Sequence, residues 1–518
     1  MCTEPLHVVW FKRDLRVDDH APLRAAAEAG RVLPLFIWAP QVWQAEDASL
    51  SQAGFVRECL HALAAALQGL GLQLHVYHHD PLAIFQRLHE KFGIAAIYSH
   101  EETGNAATYA LDRALNAWCQ ARGVRWQEWA QNGVVRRLKD RNRWHLQWES
   151  RMQTSPVVTP LQAQGVQLNH HGLNRLPVLA GATLDKPARQ RGGLLLARAV
   201  LDDFLHHRVD HYRGGISSPL RAIQACSRLS PYLAWGAIGL RQVVQCTRHV
   251  VMQSAPGQRR QSLHAFESRL HWHCHFMQKL ETEPRIEFES FYPGFDQIRL
   301  DSGDALTRLH AWQQGQTGWP LVDACMAMLH STGWLNFRMR AMLMSTASYL
   351  LWLPWRQSGL HLAREFVDYE PGIHWPQVQM QSGTTGINTL RIYHPVKQAM
   401  AQDARGEFVR HWLPALRQVP DSWIFEPWQM PSGLQQRIGC VIGRDYPAPM
   451  VDITQAMRAA RQQLVVVRQA LYGSGVFKQI LEQHGSRAGA YFPRMQRGLP
   501  STAVRADAFS GAQADLFT

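Results

Sequence analysis

The first 130 residues alternate short apolar runs with Ala- and Leu-rich stretches, and this order constrains the fold more than any other feature. Short apolar runs at 7–11, 32–39, 72–78, 95–99 and 124–129 read as strands buried on both faces. The stretches between them, such as 22–28 and 52–70, are rich in helix formers. Strand and helix in strict alternation predict βαβ units, hence an α/β domain with a five-stranded parallel doubly wound sheet. Ligands of such sheets sit beyond the carboxyl ends of the strands. The first of those ends carries Lys12, Arg13, Asp14, Arg16 and Asp18, and no G-x-G-x-x-G follows it, so a dinucleotide fingerprint is absent.

The pattern then changes. Residues 132–195 are polar and Pro-containing and are expected to form an interdomain linker. Residues 196–472 show helical periodicity with Trp, His and Met enrichment, which predicts an all-helical second domain. The Gly-, Arg- and Ala-rich segment 473–518 reads as a C-terminal tail. The longest apolar run, 341–355, is too short for a bilayer and contains Ser345, Thr346, Ser348 and Pro354, so a buried core helix is expected there and no membrane association.

Composition narrows the function classes. With 46% apolar residues and 19 Trp in 518 residues, a disordered chain is excluded, and the length calls for more than one core. Lys and Arg number 54 against 41 Asp and Glu, and the resulting charge of +13 favours a polyanionic partner such as nucleic acid. The eight cysteines are scattered without a C-x-x-C pair, and no charged leader precedes the first apolar run. Both point to a reducing compartment, and a cytoplasmic location is expected. The cluster His271, His273, Cys274, His275 places only 271 and 275 on one helix face, and no second ligand pair follows at metal spacing. No metal is assigned to it.

The stretch 8–19, VVWFKRDLRVDD, resembles the opening of the photolyase/cryptochrome family. Four further motifs resemble that family in its order: 227–233 (SRLSPYL), 317–324 (TGWPLVDA) with 332–334 (TGW), 366–368 (FVD) with 391–395 (RIYHP), and 406–410 (GEFVR) with 412–414 (WLP). The resemblance implies an N-terminal antenna domain over 1–131 and a helical domain holding a U-shaped FAD. The implied FAD contacts are Tyr212, Cys226, Ser227, Arg228, Leu229, Ser230, Arg340, Asp368 and Glu370, with Cys226 standing where the family usually has Thr. Ser227 and Ser230, ahead of a helix beginning near Pro231, suit either a phosphate site or an ordinary helix cap. Arg340 and Asp368 match a buried ion pair beside the isoalloxazine.

Two parts of the family pattern are altered. In its row of electron-carrying tryptophans, Trp312 and Trp355 match the outer and middle positions, while the inner one falls on Val378. Either Trp375 substitutes or photoreduction takes another route. His374 stands where repair enzymes usually carry the Asn facing flavin N5. In the lesion pocket Trp272 matches one Trp; the expected Glu becomes Arg269, with Glu267 nearby. The second Trp becomes Met380, and the Asn-Arg pair becomes Phe337 and Arg338. His100, Glu101, Glu102, Thr103, Gly104 and Asn105 lie where relatives grip a folate- or flavin-type antenna chromophore, though those carboxylates equally suit a helix start. The expected function is light-driven, FAD-dependent repair of pyrimidine dimers in DNA by electron transfer from excited reduced flavin, a deoxyribodipyrimidine photo-lyase. The expected partner is dimer-containing DNA, bound by a monomer. The alternative is a cryptochrome-like blue-light photoreceptor without repair activity.

Overall fold

A computed structural model describes residues 6–168, 172–175, 185–299 and 303–485. Five parallel strands, β1 (Leu6–Phe11), β2 (Val32–Ile37), β3 (His75–Tyr77), β4 (Ile94–His100) and β5 (Arg125–Trp129), form one sheet in the order β3-β2-β1-β4-β5. The strand order reverses direction at β1, so the sheet is doubly wound, as the alternation predicts. Val8, Val9, Trp10 and Phe11 are all buried because helices cover both faces of this central strand. The run at 72–78 yields only three strand residues, because β3 is the edge and pairs on one side alone.

The all-helical second domain follows, as expected. The run 341–355 is buried except at the half-buried Trp352 and Pro354, and it is not one helix: the helix Phe337–Ser345 continues into the π-helical turn Thr346–Leu350, and Trp355 opens the helix Trp355–Glu365. Among the described residues no helix is long and apolar enough to cross a membrane.

Two stretches do more than their polarity suggests. Within the presumed linker, the helix Trp144–Gln153 buries Trp144, Trp148 and Met152, and Val32 pairs with Gly165 as an isolated bridge. Residues 132–168 are therefore partly core, because one turn of well-spaced aromatics suffices to dock a helix. Residues 169–171 and 176–184 of that stretch lie outside the described residues. Beyond 473, Val476–His484 is a helix with Ile480 and His484 buried, and His484 Nε2 pairs with Glu283. The presumed tail thus begins as packed structure, and 486–518 lies outside the described residues.

The two domains share one hydrophobic cluster. Val9, Phe11 and Phe36 from the sheet pack with Leu201, Phe204, Leu263 and Phe266 from the helical part. Across the seam, the indoles of Trp38 and Trp43 stack at 4.0 Å, Trp43 stacks on Trp235 at 5.7 Å, and Arg13 lies 4.4 Å over Trp235. The residues after β1 are stitched to the turn around Gly236. Leu15 N–H donates to the Trp235 carbonyl at 3.2 Å and Arg16 Nη1 to the Gly236 carbonyl at 3.2 Å.

Gly236 has φ +62°, and a Cβ there would lie 2.1 Å from the Arg13 carbonyl oxygen and 2.5 Å from Asp14 Cα. Neither backbone can yield without opening the seam. Gly236→Ala is expected to cost more than about 2 kcal/mol of stability. Urea unfolding with midpoint and slope intact would refute this close approach.

Candidate cofactor site

A cavity of about 270 Å³ lies among the helical elements, near the lower end of the range for small-molecule sites. The helix Phe337–Ser345 contributes Phe337, Arg340, Ala341 and Met344, and the helix Pro371–Ser382 contributes Ile373, His374, Gln377, Val378 and Gln381. The loop 366–370 closes one side with Phe366, Asp368, Tyr369 and Glu370, while Cys226, Ser230 and Trp334 close another. Phe337 is 38% exposed and stands at the mouth.

Polar groups on this largely apolar wall are few and fixed. Arg340 grips Asp368 with two parallel hydrogen bonds of 2.9 and 2.7 Å, and its Nε donates to the Leu335 carbonyl at 2.8 Å. The guanidinium rests 4.0 Å over the Phe366 ring. Such a fork, with its carboxylate buried, holds both charges in one geometry. Glu370 is buried with Oε1 lacking a hydrogen-bond partner, and Oε2 lies 4.0 Å from Arg13. Burial, opposed by Arg13, pushes its carboxyl up to about 7. His374 makes a 2.8 Å hydrogen bond from Nε2 to the Gly359 carbonyl, so the proton sits on Nε2 and Nδ1 is left as an acceptor. Burial lowers its pKa to about 4, and the ring is neutral at physiological pH.

The 227–230 segment sets a cation against the lining residue Trp334, although Arg228 does not itself line the cavity. Arg228 adopts φ +63°, its guanidinium lies 3.7 Å over Trp334, and its buried Nη1 has no hydrogen-bond partner. Burial depresses its pKa to about 10. A buried guanidinium with an unmet donor suits a phosphate oxygen. Ser230 opens the short helix Ser230–Ala234 on the cavity wall, and Leu229 is buried beneath it. Ser227 Oγ accepts from Leu229 N–H at 3.4 Å, and Cys226 lines the wall with its thiol pushed up to about 12 by burial. Apolar walls, a buried ion pair and an anion-seeking Arg228 fit FAD. Tyr212 does not line the cavity; it packs edge-on against Phe204 and Phe266.

The residues expected to meet a lesion are dispersed. Phe337 is at the mouth, and Arg338 follows it, half-buried, with Arg391 and Tyr393 near enough to act on its charge. On the helix Gln258–Thr282 it is His273 that lines the cavity, whereas Trp272 is buried against His275 and Phe276. Glu267 is held by Arg248 at 2.7 Å in a network with Glu149. Arg269 is half-buried and close enough to Tyr212 to influence it. Met380 is half-buried between the lining residues Gln377 and Gln381 in sequence.

The tryptophans divide similarly. Trp375 is fully buried 6.0 Å from Trp355 and 5.0 Å from His374. Trp375 and Val378 both pack on Gly359, where a Cβ would lie 2.9 and 3.1 Å from them. Trp355 Nε1 donates to Asp296 at 3.1 Å. Trp312, in the outer position, is fully buried and its ring neighbour is His361 at 5.5 Å. Sequence reasoning overlooked His273, Trp334, Asn336, Tyr369, Gln377 and Gln381. Of these, only Trp334 stood in a family motif, TGW at 332–334.

At the carboxyl ends of the strands a smaller cavity, about 60 Å³, is lined by Lys12, Arg13, Trp43, Glu102 and Asp112 among others. Lys12 bridges Asp112 at 2.9 Å, Glu102 accepts from the Thr103 and Gly104 amides, and Asn105 caps the next helix through Thr108 N–H. Glu101 lies 4.0 Å from Arg136. A neighbouring buried cluster at the end of β1 is closed on itself. Asp14 Oδ2 accepts from His20 Nε2 at 3.0 Å and His100 Nδ1 at 2.7 Å, Asp14 Oδ1 from Lys12 N–H, and His20 Nδ1 from Leu23 N–H.

Two family descriptions match this chain: DNA photolyase over residues 7–140 and the FAD-binding domain of DNA photolyase over 266–465. The chain belongs to the photolyase/cryptochrome family. The helical domain carries the FAD-binding region of that family, and most of the cavity-lining residues fall within the matched 266–465. Among curated relatives, the deoxyribodipyrimidine photo-lyase of Streptomyces griseus is 29% identical, covering 87% of this chain and 97% of that protein. Cryptochrome-2 of Arabidopsis thaliana is 26% identical, covering 89% and 79%. Two solved structures share the fold, each with TM-score 0.79. One is a class III photolyase from Agrobacterium tumefaciens (24% identity, 90% and 98% covered), the other a Synechocystis cryptochrome (23%, 89% and 99%). An archaeal photolyase from Sulfolobus tokodaii carrying two FAD molecules has TM-score 0.73 at 22% identity, covering 89% and 100%.

Glu370 supplies a test of the cavity's electrostatics. Its carboxyl titrates near 4.5 when unfolded and near 7 when folded. The folded state therefore holds the extra proton between those values, and stability falls as pH rises through that window. Glu370→Gln is expected to remove this slope and to gain on the order of 3 kcal/mol at pH 8 relative to wild type. Denaturant unfolding of the flavin-stripped proteins at pH 5 and pH 8 checks it, and parallel slopes would refute it.

Proposed function

We propose that this photolyase/cryptochrome chain is a light-driven DNA repair enzyme, a deoxyribodipyrimidine photo-lyase acting in the cytoplasm as a monomer on pyrimidine dimers. The observation that carries this reading is the cavity with Arg340, Asp368 and Glu370 on its wall and a mouth at Phe337. The photo-lyase relatives and the +13 charge support it, since holding a DNA backbone requires a basic surface. When bound, reduced FAD supplies, on excitation, the single electron that splits a cyclobutane dimer and is afterwards recovered.

The protein's own residues do the remaining work. Arg228 and Ser230 receive the pyrophosphate. Arg340, locked by Asp368, presents a fixed positive charge in a low-dielectric wall, where it stabilises added electron density. Neutral His374 offers Nδ1 as an acceptor, and Glu370 holds a proton near neutral pH. Leu362, Phe366, Met344 and Val378 exclude water from the same space. Electrons that restore the reduced state enter through Trp355 and Trp375. The buried Trp375 takes the place that Val378 cannot fill, because an aliphatic side chain carries no electron hole.

One observation favours a second reading, a blue-light photoreceptor without repair activity: of the residues expected to contact a lesion, only Phe337 lines the cavity. Illumination of the reduced holoprotein with dimer-containing single- and double-stranded DNA separates the two. Recovery of intact thymine is expected; none on either substrate, with flavin bound, would sink the repair reading.

The electron route has its own check. Trp355→Phe and Trp375→Phe are each expected to slow flavin photoreduction about tenfold or more, the effect of a barrier raised by about 1.4 kcal/mol. Trp312→Phe should leave the rate nearly unchanged. Loss of rate in Trp312→Phe alone would redirect the path.

A further inference from the structure

We propose that His330, His361 and Glu365 form a binding site for a Zn²⁺-class divalent cation, at the ends of two helices outside the flavin cavity. His361 and Glu365 are i, i+4 on the helix Trp355–Glu365, so both project from one face. His330 comes from the last turn of the helix Pro320–Thr332. One ligand atom from each of the three lies within 4.8 Å of the others. Tetrahedral zinc with bonds of about 2.0–2.2 Å draws its ligand atoms to about 3.4 Å apart, a closure that side-chain rotation alone can supply.

An independent observation points to a ligand here. His361 is buried to more than nine-tenths, yet its Nε2 has no hydrogen-bond partner. A buried ring nitrogen left unmet is costly unless something occupies the space it faces. The contrast with Asp14, His20 and His100 is instructive: that cluster is equally compact, but its carboxylate and imidazoles are spent on each other and on backbone amides.

The position already attracts a cation. Lys186 Nζ pairs with Glu365 Oε2 and donates to the His330 carbonyl at 3.3 Å. The ammonium neutralises the carboxylate in the metal-free state, and a metal must displace it or share the carboxylate. Lys186 is therefore a competitor built into the site. Two imidazoles and one carboxylate leave a fourth position for water, and the half-buried His330 marks the side from which the ion enters.

The test uses the full-length, flavin-loaded protein after chelator treatment, titrated with Co²⁺ and followed by the visible absorption of tetrahedral cobalt, with Zn²⁺ as competitor. One saturable Co²⁺ displaced by Zn²⁺ is expected. His361→Ala should abolish the tetrahedral signal, and Lys186→Met should tighten binding about tenfold by removing the competitor. Unchanged flavin absorbance reports that each variant is folded. No tetrahedral signal in the wild type, or the same signal in His361→Ala, would overturn the proposal. If His361→Ala loses its flavin, Lys186→Met decides: unchanged or weaker Co²⁺ binding overturns the site.

Discussion

The structure depends on a small group of charges buried where β1 ends. Arg13, Asp14, Arg16 and Asp19 leave the sheet together; the last three are buried and Arg13 is only 11% exposed. Each must find partners, because an unpaired charge in that setting costs more than a domain can spare. The partners come largely from the other domain. Arg13 donates to the Ala234 and Tyr369 carbonyls at 3.4 Å, Arg16 reaches Gly236, and Asp19 pairs with Arg241. Satisfying the strand end therefore fixes the turn 233–239 and the loop 366–370 at once. Asp368 and Glu370 sit on that loop, so the cofactor cavity takes its geometry from the sheet.

That dependence explains how a cavity with so few polar groups can be selective. Its Arg340–Asp368 fork is rigid because Arg340 is held by both carboxylate oxygens, by a backbone carbonyl and by an aromatic face. Glu370 is held differently, by its position beside Arg13 and without a partner for one oxygen. The first arrangement fixes charge and the second leaves a proton free to move. Both functions need low dielectric, and both would weaken if water reached the loop.

The strands β1, β2 and β4 were legible in the sequence because a doubly covered strand is apolar along most of its length, whereas β5, an edge strand expected to be buried on both faces, is exposed or half-buried throughout. The loop 366–368 and Arg340 were legible through family motifs. Helix faces were harder. On Gln258–Thr282 a shift of one residue rotates a side chain by about 100°, and that decides between Trp272, which is buried against its own helix neighbours, and His273, which lines the cavity. Glu267 was chosen for its charge, but the pair Arg248 and Glu149 claims it. Trp144 and Trp148 announced a docked helix by their spacing, yet the surrounding polar residues masked it. Val476–His484 was hidden for a similar reason: its buried face is one or two residues wide. His330 could not be joined to His361 and Glu365 from sequence at all, since packing alone brings the two helices together.

The stacked indoles at the seam have a further consequence. Trp38 and Trp43 belong to the sheet domain and Trp235 to the helical one, and all three rings lie nearly parallel. Parallel chromophores this close share their excited states, so the trio behaves optically as one unit whose handed arrangement exists only while the domains are docked. Its exciton signature in circular dichroism is thus a built-in gauge of the seam, readable without label or ligand. Separation of the domains would leave the Trp38–Trp43 couplet and remove the share of Trp235, so the signature changes even if each domain keeps its own fold.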